Sequence, residues 1–328
     1  MKKVVITGAT GAIGRALVSV CIKAGYEVLA VVHRNSKRAS ELEKTDYCRV
    51  LYLDLLEYEH ALDAMKEQGI PFDNMENLST ALLVGESSGA NGYEYFFHLA
   101  WMAPFGKERE NLQLQLENVK ASLAAVRFAK ALGCSVFMGA GSQAEYGRVE
   151  GKLLPDTPAF PETGYGIAKL CAGQVTRLAC EQVGLKHIWP RILSVYGPYD
   201  REQTLISTAI NDMMNNRETF FTPCDQMWDY VFSEDAARAM LLCAQKGKHG
   251  SVYVIGSGEV HLLKEYIKKI AEITGYKKEI GFGKRPYNDK QVMYLQADIS
   301  ELEKLGFKPQ VSFEEGIRKT ILTKTHCL

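Results

Sequence analysis

Three glycines near the start of the chain place the tightest constraint on its fold. The short apolar run Lys2–Thr7 precedes them, and Arg15–Ala24, in which apolar residues recur at helical spacing, follows them. A buried strand that turns directly into a helix through glycines is typical of a parallel sheet that binds a dinucleotide, because glycine permits the tight turn and lets the backbone approach a pyrophosphate. The alternative is a purely structural turn. We predict that the cofactor-binding turn comprises Gly8, Thr10, Gly11, Ala12, Ile13 and Gly14.

Length and composition indicate a large globular protein and exclude several other classes. The 328 residues are enough for a large core, and 39 basic residues balance 39 acidic ones, so no basic surface indicates nucleic acid or an anionic membrane as a partner. No apolar run reaches membrane-spanning length, and the run after Met1 is too short for a secretory signal. Eight cysteines without a Cys-x-x-Cys pair predict free thiols in a reducing cytoplasm, with neither disulfides nor a metal site.

The loop after the second predicted strand, Glu27–Val32, favours NADP over NAD. A site that prefers NAD usually has an acidic residue at the end of this strand, whereas the next six residues contain three lysines or arginines and no carboxylate. The fork of Arg34 suits the 2′-phosphate of NADP. A solvated charged loop, with NAD as the cofactor, is the alternative. At the end of the third predicted strand, Asp54 and Leu55 are expected to touch the adenine edge or to cap the following helix.

The fourth predicted strand leads towards the expected cofactor crevice. The segment Gln68–Gly92 before it is rich in glycine and polar residues, which indicates a surface insertion. Glu94–His98 is then a buried strand, and its histidine is predicted to be a core residue. Leu99, Ala100 and Trp101 follow the strand and are expected to line the crevice.

Tyr165 and Lys169 form a candidate acid/base pair. They stand four residues apart at the start of a predicted helix that runs to about Val183, so they point the same way. A nearby ammonium favours the phenolate and lowers the pKa of a tyrosine, which gives an acid/base group that works near pH 7. Ser142 follows the predicted strand Cys134–Met138, and its hydroxyl is placed to donate to a substrate carbonyl. A surface pair and a turn serine are the alternatives.

Several short motifs follow one another along nearly the whole chain. They are Gly8-x-x-Gly11-x-x-Gly14, His98-Leu99-Ala100, Asn118-Val119, Ser142 with Tyr146-Gly147, Tyr165-x-x-x-Lys169, Pro190-Arg191 with Val195-Tyr196-Gly197-Pro198, Asp229-Tyr230-Val231 with Asp235, Leu305-Gly306-Phe307-Lys308-Pro309 and Phe313 with Gly316-Ile317. Together they resemble the extended short-chain dehydrogenase/reductases, often named NAD-dependent epimerase/dehydratases. The resemblance implies an α/β fold, with a Rossmann-type doubly wound parallel sheet over residues 1–198, to which some later segments return, and a smaller C-terminal substrate lobe over residues 199–328.

The resemblance also implies an activity, in which hydride passes to or from C4 of a nucleotide-linked sugar. Ser142 and Tyr165 would hydrogen-bond the substrate oxygen, Tyr165 would pass the proton, and Lys169 would lower the tyrosine pKa and bind the nicotinamide ribose. Because the basic loop at Arg34 favours NADP and NADP favours net reduction, we expect a reductase. The alternatives are a 4-epimerase with tightly bound NAD and a cofactor-sensing binding protein without turnover, against which the intact catalytic set argues.

Several positions depart from the family pattern and bear on the substrate. Gln143 and Ala144 stand where dehydratases have Asp and Glu, so 4,6-dehydratase activity is not expected. Trp228 replaces an arginine that grips the diphosphate in many relatives, and Ser194 replaces an asparagine, whereas Arg285 is retained. The predicted substrate contacts are Trp101, Gln143, Ser194, Trp228 and Arg285.

Two helices predict a homodimer. Glu108–Leu132 and the helix that begins at Tyr165 carry apolar residues on more than one side, and such a helix needs a second partner. In the family that this chain resembles, these two helices usually form a four-helix bundle between subunits. Burial under the C-terminal lobe of the same chain is the alternative.

Overall fold

The computed structural model describes residues 1–72 and 92–326, and a parallel sheet lies at its centre. Its strands are β1 (Lys3–Thr7), β2 (Glu27–Val32), β3 (Cys48–Tyr52), β4 (Tyr93–His98), β5 (Val136–Gly139), β6 (Gly141–Ser142), β7 (Lys186–Ile192) and β11 (Ser251–Ile255). They follow the order β11-β7-β5-β4-β1-β2-β3, and β6 extends the sheet beside β7. All of the strand pairs are parallel. The order reverses between β1 and β4, and ligands of open α/β sheets bind at this point.

Helices cover both faces of the sheet, so the predicted doubly wound fold is confirmed. The helices are α1 (Ala12–Lys23), α2 (Ala39–Glu43), α3 (Ala61–Glu67), α4 (Leu112–Ala131), α5 (Gly164–Val183), α6 (Leu205–Met214), α7 (Ser233–Lys246), α8 (Leu263–Thr274), α9 (Ser300–Leu305) and α10 (Phe313–His326). On one face α1 and α7 pack against each other, and on the other α4 packs against α5. Strand residues such as Val4, Val5 and Ile6 are completely buried, as expected for strands covered on both sides.

The later part of the chain builds a second, smaller core beside the carboxyl ends of the strands. Ile206 and Ile210 from α6 pack there with Ile267 from α8. Two small sheets frame this core, one of β8 with β10 and one in the order β12-β9-β13. Their strands are β8 (Ser194–Tyr196), β9 (Met227–Trp228), β10 (Tyr230–Phe232), β12 (His261–Leu262) and β13 (Tyr294–Leu295).

The predicted elements agree with the structure apart from small shifts of strand ends and two helix starts. The helix predicted over Arg15–Ala24 begins three residues earlier, at Ala12. The helix expected from Glu108 begins at Leu112, because Asn111 caps it by accepting a hydrogen bond from the Leu114 backbone N–H at 3.2 Å. The residues before it form a short 3₁₀ turn, Lys107–Glu110. Most of the predicted insertion, 73–91, lies outside the described residues. Within the described ranges, no helix is long and apolar enough to cross a membrane.

Candidate active site

The glycine turn has the geometry that a bound pyrophosphate requires. Gly8 adopts a positive φ of 67°, and a Cβ there would lie 2.9 Å from the backbone nitrogen of Ala100. A Cβ on Gly14 would lie 2.2 Å from the Gly8 carbonyl oxygen, so only glycine lets α1 pack this closely on β1. Gly11 caps α1 without a side chain, which leaves N–H groups of the first turn for a phosphate. The residues present therefore fit the dinucleotide.

Hydrogen bonds fix the end of β4 beside this turn. The Thr7 hydroxyl accepts from the backbone N–H groups of Leu99 and Ala100 at 3.1 Å each. His98 is buried between the Thr7 and Ser122 hydroxyls, both at 3.1 Å, so its predicted core role is confirmed. Burial lowers the pKa of His98 to about 3, which keeps the ring neutral. Leu99 and Ala100 thus lie against Gly8, and their contact with a cofactor stays a prediction.

Acidic side chains from the segment after β3 lie beside the loop after β2, although the loop itself contains none. The Arg34 guanidinium donates to the Glu57 carboxylate, with Nη2 at 2.8 Å and Nε at 3.1 Å. The Arg34 backbone N–H donates to Asp54 at 3.0 Å, and His33 lies 3.4 Å from the same carboxylate. The expectation of a loop free of carboxylates is corrected, because β3 lies beside β2 and brings these acids to it. Leu55 is buried next to them.

The candidate catalytic side chains converge where β5 and β6 end. Ser142 ends β6, and its side chain lies near enough to Tyr165 to lower the pKa of the phenol in part. The Lys169 ammonium donates to the Ala140 carbonyl at 2.7 Å. The start of α5 is held close to this point, since a Cβ on Gly166 would lie 2.3 Å from the Ala144 carbonyl oxygen. The fold therefore brings Ser142, Tyr165 and Lys169 together at the edge of the sheet that also carries the glycine turn.

The pKa of Tyr165 is raised, whereas the sequence predicts that it is lowered. Burial raises the pKa of Tyr165, and the hydrogen bond from Ser142 and the positive charge of Arg109 offset this only in part. The Lys169 nitrogen lies 5.8 Å from the centre of the Tyr165 ring and only 3.7 Å from that of Trp101. Burial also lowers the pKa of Lys169 to about 7. The predicted lowering of the tyrosine pKa by Lys169 is therefore wrong.

Two charged residues of the site were missed from the sequence. Glu145 is completely buried, and its carboxylate accepts hydrogen bonds from the Ser142 N–H at 2.7 Å, Trp189 Nε1 at 3.0 Å and Arg191 Nε at 2.8 Å. The ion pair of Glu145 with Arg191 could have been predicted, because Glu145 stands two residues before Gly147 and Arg191 lies on a buried strand. Arg109 carried no such signal, because its contact with Tyr165 depends on how the 3₁₀ turn packs on α5.

The predicted substrate residues are only partly brought together. Trp228 Nε1 donates to the Ser194 hydroxyl at 2.9 Å, which joins two of them. Trp101 lies edge-on to Tyr165, with its ring centre 6.0 Å away, and Gln143 opens the 3₁₀ turn after Ser142. Arg285 is exposed and bonds to no other side chain in the part of the chain that the structure describes.

Comparison with known proteins finds relatives that match this architecture. The chain is similar to the dTDP-4-dehydro-6-deoxyglucose reductase of Escherichia coli, with 24% identity over 325 residues that cover 97% of this chain and 96% of the relative. It is 30% identical over 183 residues to the dTDP-glucose 4,6-dehydratase of Salmonella typhimurium, which covers 52% of this chain and 49% of that enzyme.

The fold has close counterparts among solved structures. The UDP-glucose 4-epimerase of Thermotoga maritima, solved with UDP-glucose, superposes with a TM-score of 0.79 at 24% identity, over 99% of each chain. The sequence pattern of one family matches residues 4–256, which is more than three quarters of the chain. With the glycine turn and the Ser142, Tyr165 and Lys169 cluster in place, this match means that the chain belongs to the NAD dependent epimerase/dehydratase family.

Proposed function

We propose that this chain is a nicotinamide-dependent oxidoreductase that reduces the C4 keto group of a nucleotide-linked sugar. The observation that carries the proposal is the placement of Ser142 next to Tyr165 at the sheet edge that carries the glycine turn, with Lys169 one helical turn further along α5. The full-length similarity to an enzyme named dTDP-4-dehydro-6-deoxyglucose reductase supports reduction, whereas similarity to the dehydratase spans about half of each chain. The absence of acids at Gln143 and Ala144 also argues against dehydration.

The side chains support proton donation more than proton abstraction. Because burial raises the pKa of Tyr165, its phenol is protonated at neutral pH and can donate to an oxygen on which negative charge develops. Ser142 would donate a second hydrogen bond to the same oxygen, and Lys169 would bind the nicotinamide ribose. When bound, the nicotinamide cofactor supplies the hydride. The products would be the alcohol, the oxidised cofactor and an ionised Tyr165 that regains its proton from solvent.

We propose NADP as the preferred cofactor, with NAD as the alternative. The Arg34 side chain is half exposed, and Lys37 and Arg38 follow it in the same loop. A 2′-phosphate would compete with Glu57 for the Arg34 fork, and it brings more negative charge than one carboxylate. This competition makes the preference for NADP weaker than the sequence alone suggests.

The division of labour between the lobes and the cellular compartment are also proposals. Residues 1–198 would hold the cofactor and residues 199–328 would mainly bind the substrate, with Trp228 and Ser194 facing it. All seven cysteines in the described ranges are unpaired, which supports a reducing compartment such as the cytoplasm.

A homodimer is proposed from the surface of two helices. Leu112 and Leu116 on α4 are 62% and 52% exposed, and Ile167 and Leu178 on α5 are 52% and 49% exposed. Four large apolar side chains on two packed helices form a face that favours a protein partner. The buried Val119 of α4 faces the chain's own core instead.

The experiment that tests the activity is a turnover assay with purified protein. NADPH and NADH are each mixed with 4-keto sugars linked to UDP, CDP, GDP or dTDP, and oxidation of the reduced cofactor is followed. We expect oxidation with at least one substrate by the wild type, and a rate about 10²–10⁴-fold lower for Tyr165→Phe. Cofactor binding without turnover on any substrate would favour a binding protein. Interconversion of 4-hydroxy sugars with retained NAD and no net oxidation would favour the second candidate, a 4-epimerase, since Ser142 and Tyr165 can also serve both directions.

A further inference from the structure

Arg109 lies against the ring of Tyr165, although nothing in the sequence singles it out. Its guanidinium carbon is 4.5 Å from the centre of the phenol ring. The 3₁₀ turn Lys107–Glu110 that carries it is pinned to the start of α5, because the Glu110 carboxylate accepts a hydrogen bond from the Gly164 N–H at 2.9 Å. A Cβ on Gly164 would lie 3.4 Å from the Arg109 carbonyl oxygen. The position of Arg109 relative to Tyr165 is thus set by backbone packing.

The Arg109 guanidinium has no carboxylate partner. In residues 1–72 and 92–326 it forms no ion pair, and its Nε is buried without a hydrogen-bond partner. The two acids of the same turn are engaged elsewhere, since Glu108 accepts from Asn111 at 3.0 Å and Glu110 accepts from Gly164. Leaving a buried donor unpaired is unfavourable, so such a group calls for an explanation. Because no carboxylate neutralises it, the charge of Arg109 acts on Tyr165.

Three other polar groups face Tyr165, and each differs from Arg109. Ser142 offers a neutral hydrogen bond. Glu145 is negative, but Arg191 pairs with it at 2.8 Å. Lys169 is the other cation, yet its ammonium points at the Ala140 carbonyl, and burial lowers its pKa to about 7. A guanidinium stays charged at every pH at which the protein is folded. Arg109 therefore remains a cation beside Tyr165 in conditions in which Lys169 loses its charge.

We propose that Arg109 is a positioning residue whose permanent charge, held over the ring of Tyr165, stabilises the phenolate that proton donation leaves behind. In this step the carbonyl carbon would receive a hydride from the reduced nicotinamide cofactor, which is thereby oxidised. The Tyr165 O–H bond breaks, its proton joins the substrate oxygen to give the alcohol, and the negative charge stays on the Tyr165 oxygen. A cation attracts the π-face of a ring, and it attracts an ionised ring more strongly. This inference rests on the proposed role of Tyr165 as the proton donor.

The test measures ionisation at position 165 directly and needs no substrate. Difluorotyrosine, whose phenol is more acidic than that of tyrosine, is incorporated at position 165 of the full chain, and its fluorine NMR signal is titrated against pH. We expect Arg109→Gln to move the titration midpoint to higher pH by about one pH unit, the lower end of the effect of a charge at this distance. Arg109→Lys should move it less. Lys107→Gln, which removes a cation from the same turn, should leave it unchanged.

The outcomes separate this inference from the proposed function. A midpoint in Arg109→Gln equal to that in Lys107→Gln would overturn the role of Arg109, while the turnover assay would still stand on its own. If the glutamine variant does not fold, Arg109→Met carries the same expectation with an apolar stem in the same place. A merely structural role would lower the melting temperature and broaden the signal without moving the midpoint, and that result would also overturn the inference.

Discussion

At the scale of single residues, Tyr165 combines two opposing demands. Burial keeps its phenol protonated, as a donor must be, and Ser142 and Arg109 ease the loss of that proton. We expect Tyr165→Phe to keep cofactor affinity and to lose about 10²–10⁴-fold in rate, because phenylalanine preserves the ring but has no proton to give. Ser142→Ala should lose less. The measurements are a cofactor titration and a rate assay, and a tyrosine variant that keeps more than about a tenth of the rate would contradict the assignment.

Lys169 should lower the free energy of unfolding relative to an apolar residue at the same position, and it should make this free energy depend on pH. Its pKa falls from 10.5 to about 7 on folding, so between these values the unfolded chain binds more protons and the wild type gains stability as pH rises. Lys169→Met removes this dependence. We expect its stability advantage over the wild type to be largest near pH 7 and to shrink by up to about 1 kcal/mol per pH unit above it. Urea unfolding over that range checks this, with Lys107→Met as the exposed control, and a constant difference would refute it.

Substitutions of Arg34 and Glu57 should change the affinity for NADPH in opposite directions. Arg34→Ala should weaken NADPH binding on the order of tenfold, the loss of one charge-assisted contact, and leave NADH nearly unchanged. Glu57→Gln should strengthen NADPH binding, because it frees the fork of Arg34. Titration of both cofactors against the two variants is the measurement. Equal affinity of the wild type for NADPH and NADH would remove the basis for the NADP proposal.

The residues that could be predicted from the sequence are those fixed by local spacing. Tyr165 and Lys169 are four positions apart on a helix, so the spacing alone places them on one face. Ser142 follows a predicted strand, so its place at the end of the sheet could also be predicted. The contact between Arg34 and Glu57 could not be read in this way, since it joins the ends of two neighbouring strands 23 residues apart in sequence. The contact of Arg109 with Tyr165 depends on the packing of the 3₁₀ turn Lys107–Glu110 against the start of α5. The periodicity of the sequence does not predict such packing.

At the scale of elements, the turn Gln143–Glu145 is anchored to β7 by a buried ion pair. Glu145 and Arg191 are 2.8 Å apart, and their side chains are 0% and 6% exposed. Removing one partner leaves a buried charge uncompensated, so Glu145→Gln should lower the free energy of unfolding by about 3 kcal/mol. It should also reduce activity, because Ser142 hydrogen-bonds to this carboxylate. Glu162→Gln, which breaks the more exposed pair with Arg148, is the matched control and should change the unfolding midpoint little. Equal midpoints in the two variants would contradict this view.

The elements themselves were predictable to different degrees. Strands such as β1 and β2 are buried on both faces, so each contains a continuous apolar run that ends in a turn. The two-residue strands β9, β12 and β13 are too short to show any period, and long-range pairing alone defines them. The start of α4 was misplaced because the cap at Asn111 overrides the helical pattern that begins earlier.

At the scale of the whole molecule, the exposed apolar face of α4 and α5 should be a subunit interface. Light scattering at micromolar concentration should give twice the chain mass of 36.6 kDa. Leu116→Glu with Ile167→Glu should shift the mass to that of one chain, because charges cannot be buried there without partners. Leu262→Glu is the control, because it makes the same kind of change at an exposed leucine on β12, outside α4 and α5. It should leave the dimer intact. A wild type of single-chain mass would contradict the proposal.

The return of α7 and β11 to the main sheet limits how this protein can be re-engineered. β11 forms the edge next to β7, and α7 lies across α1, yet both come from the chain after residue 198. A fragment cut at that residue would lack Ala236, Met240 and Ile255 from its core and would aggregate rather than fold. Grafting a new specificity onto this scaffold therefore requires exchanging the stretches on either side of these two elements while leaving α7 and β11 in place.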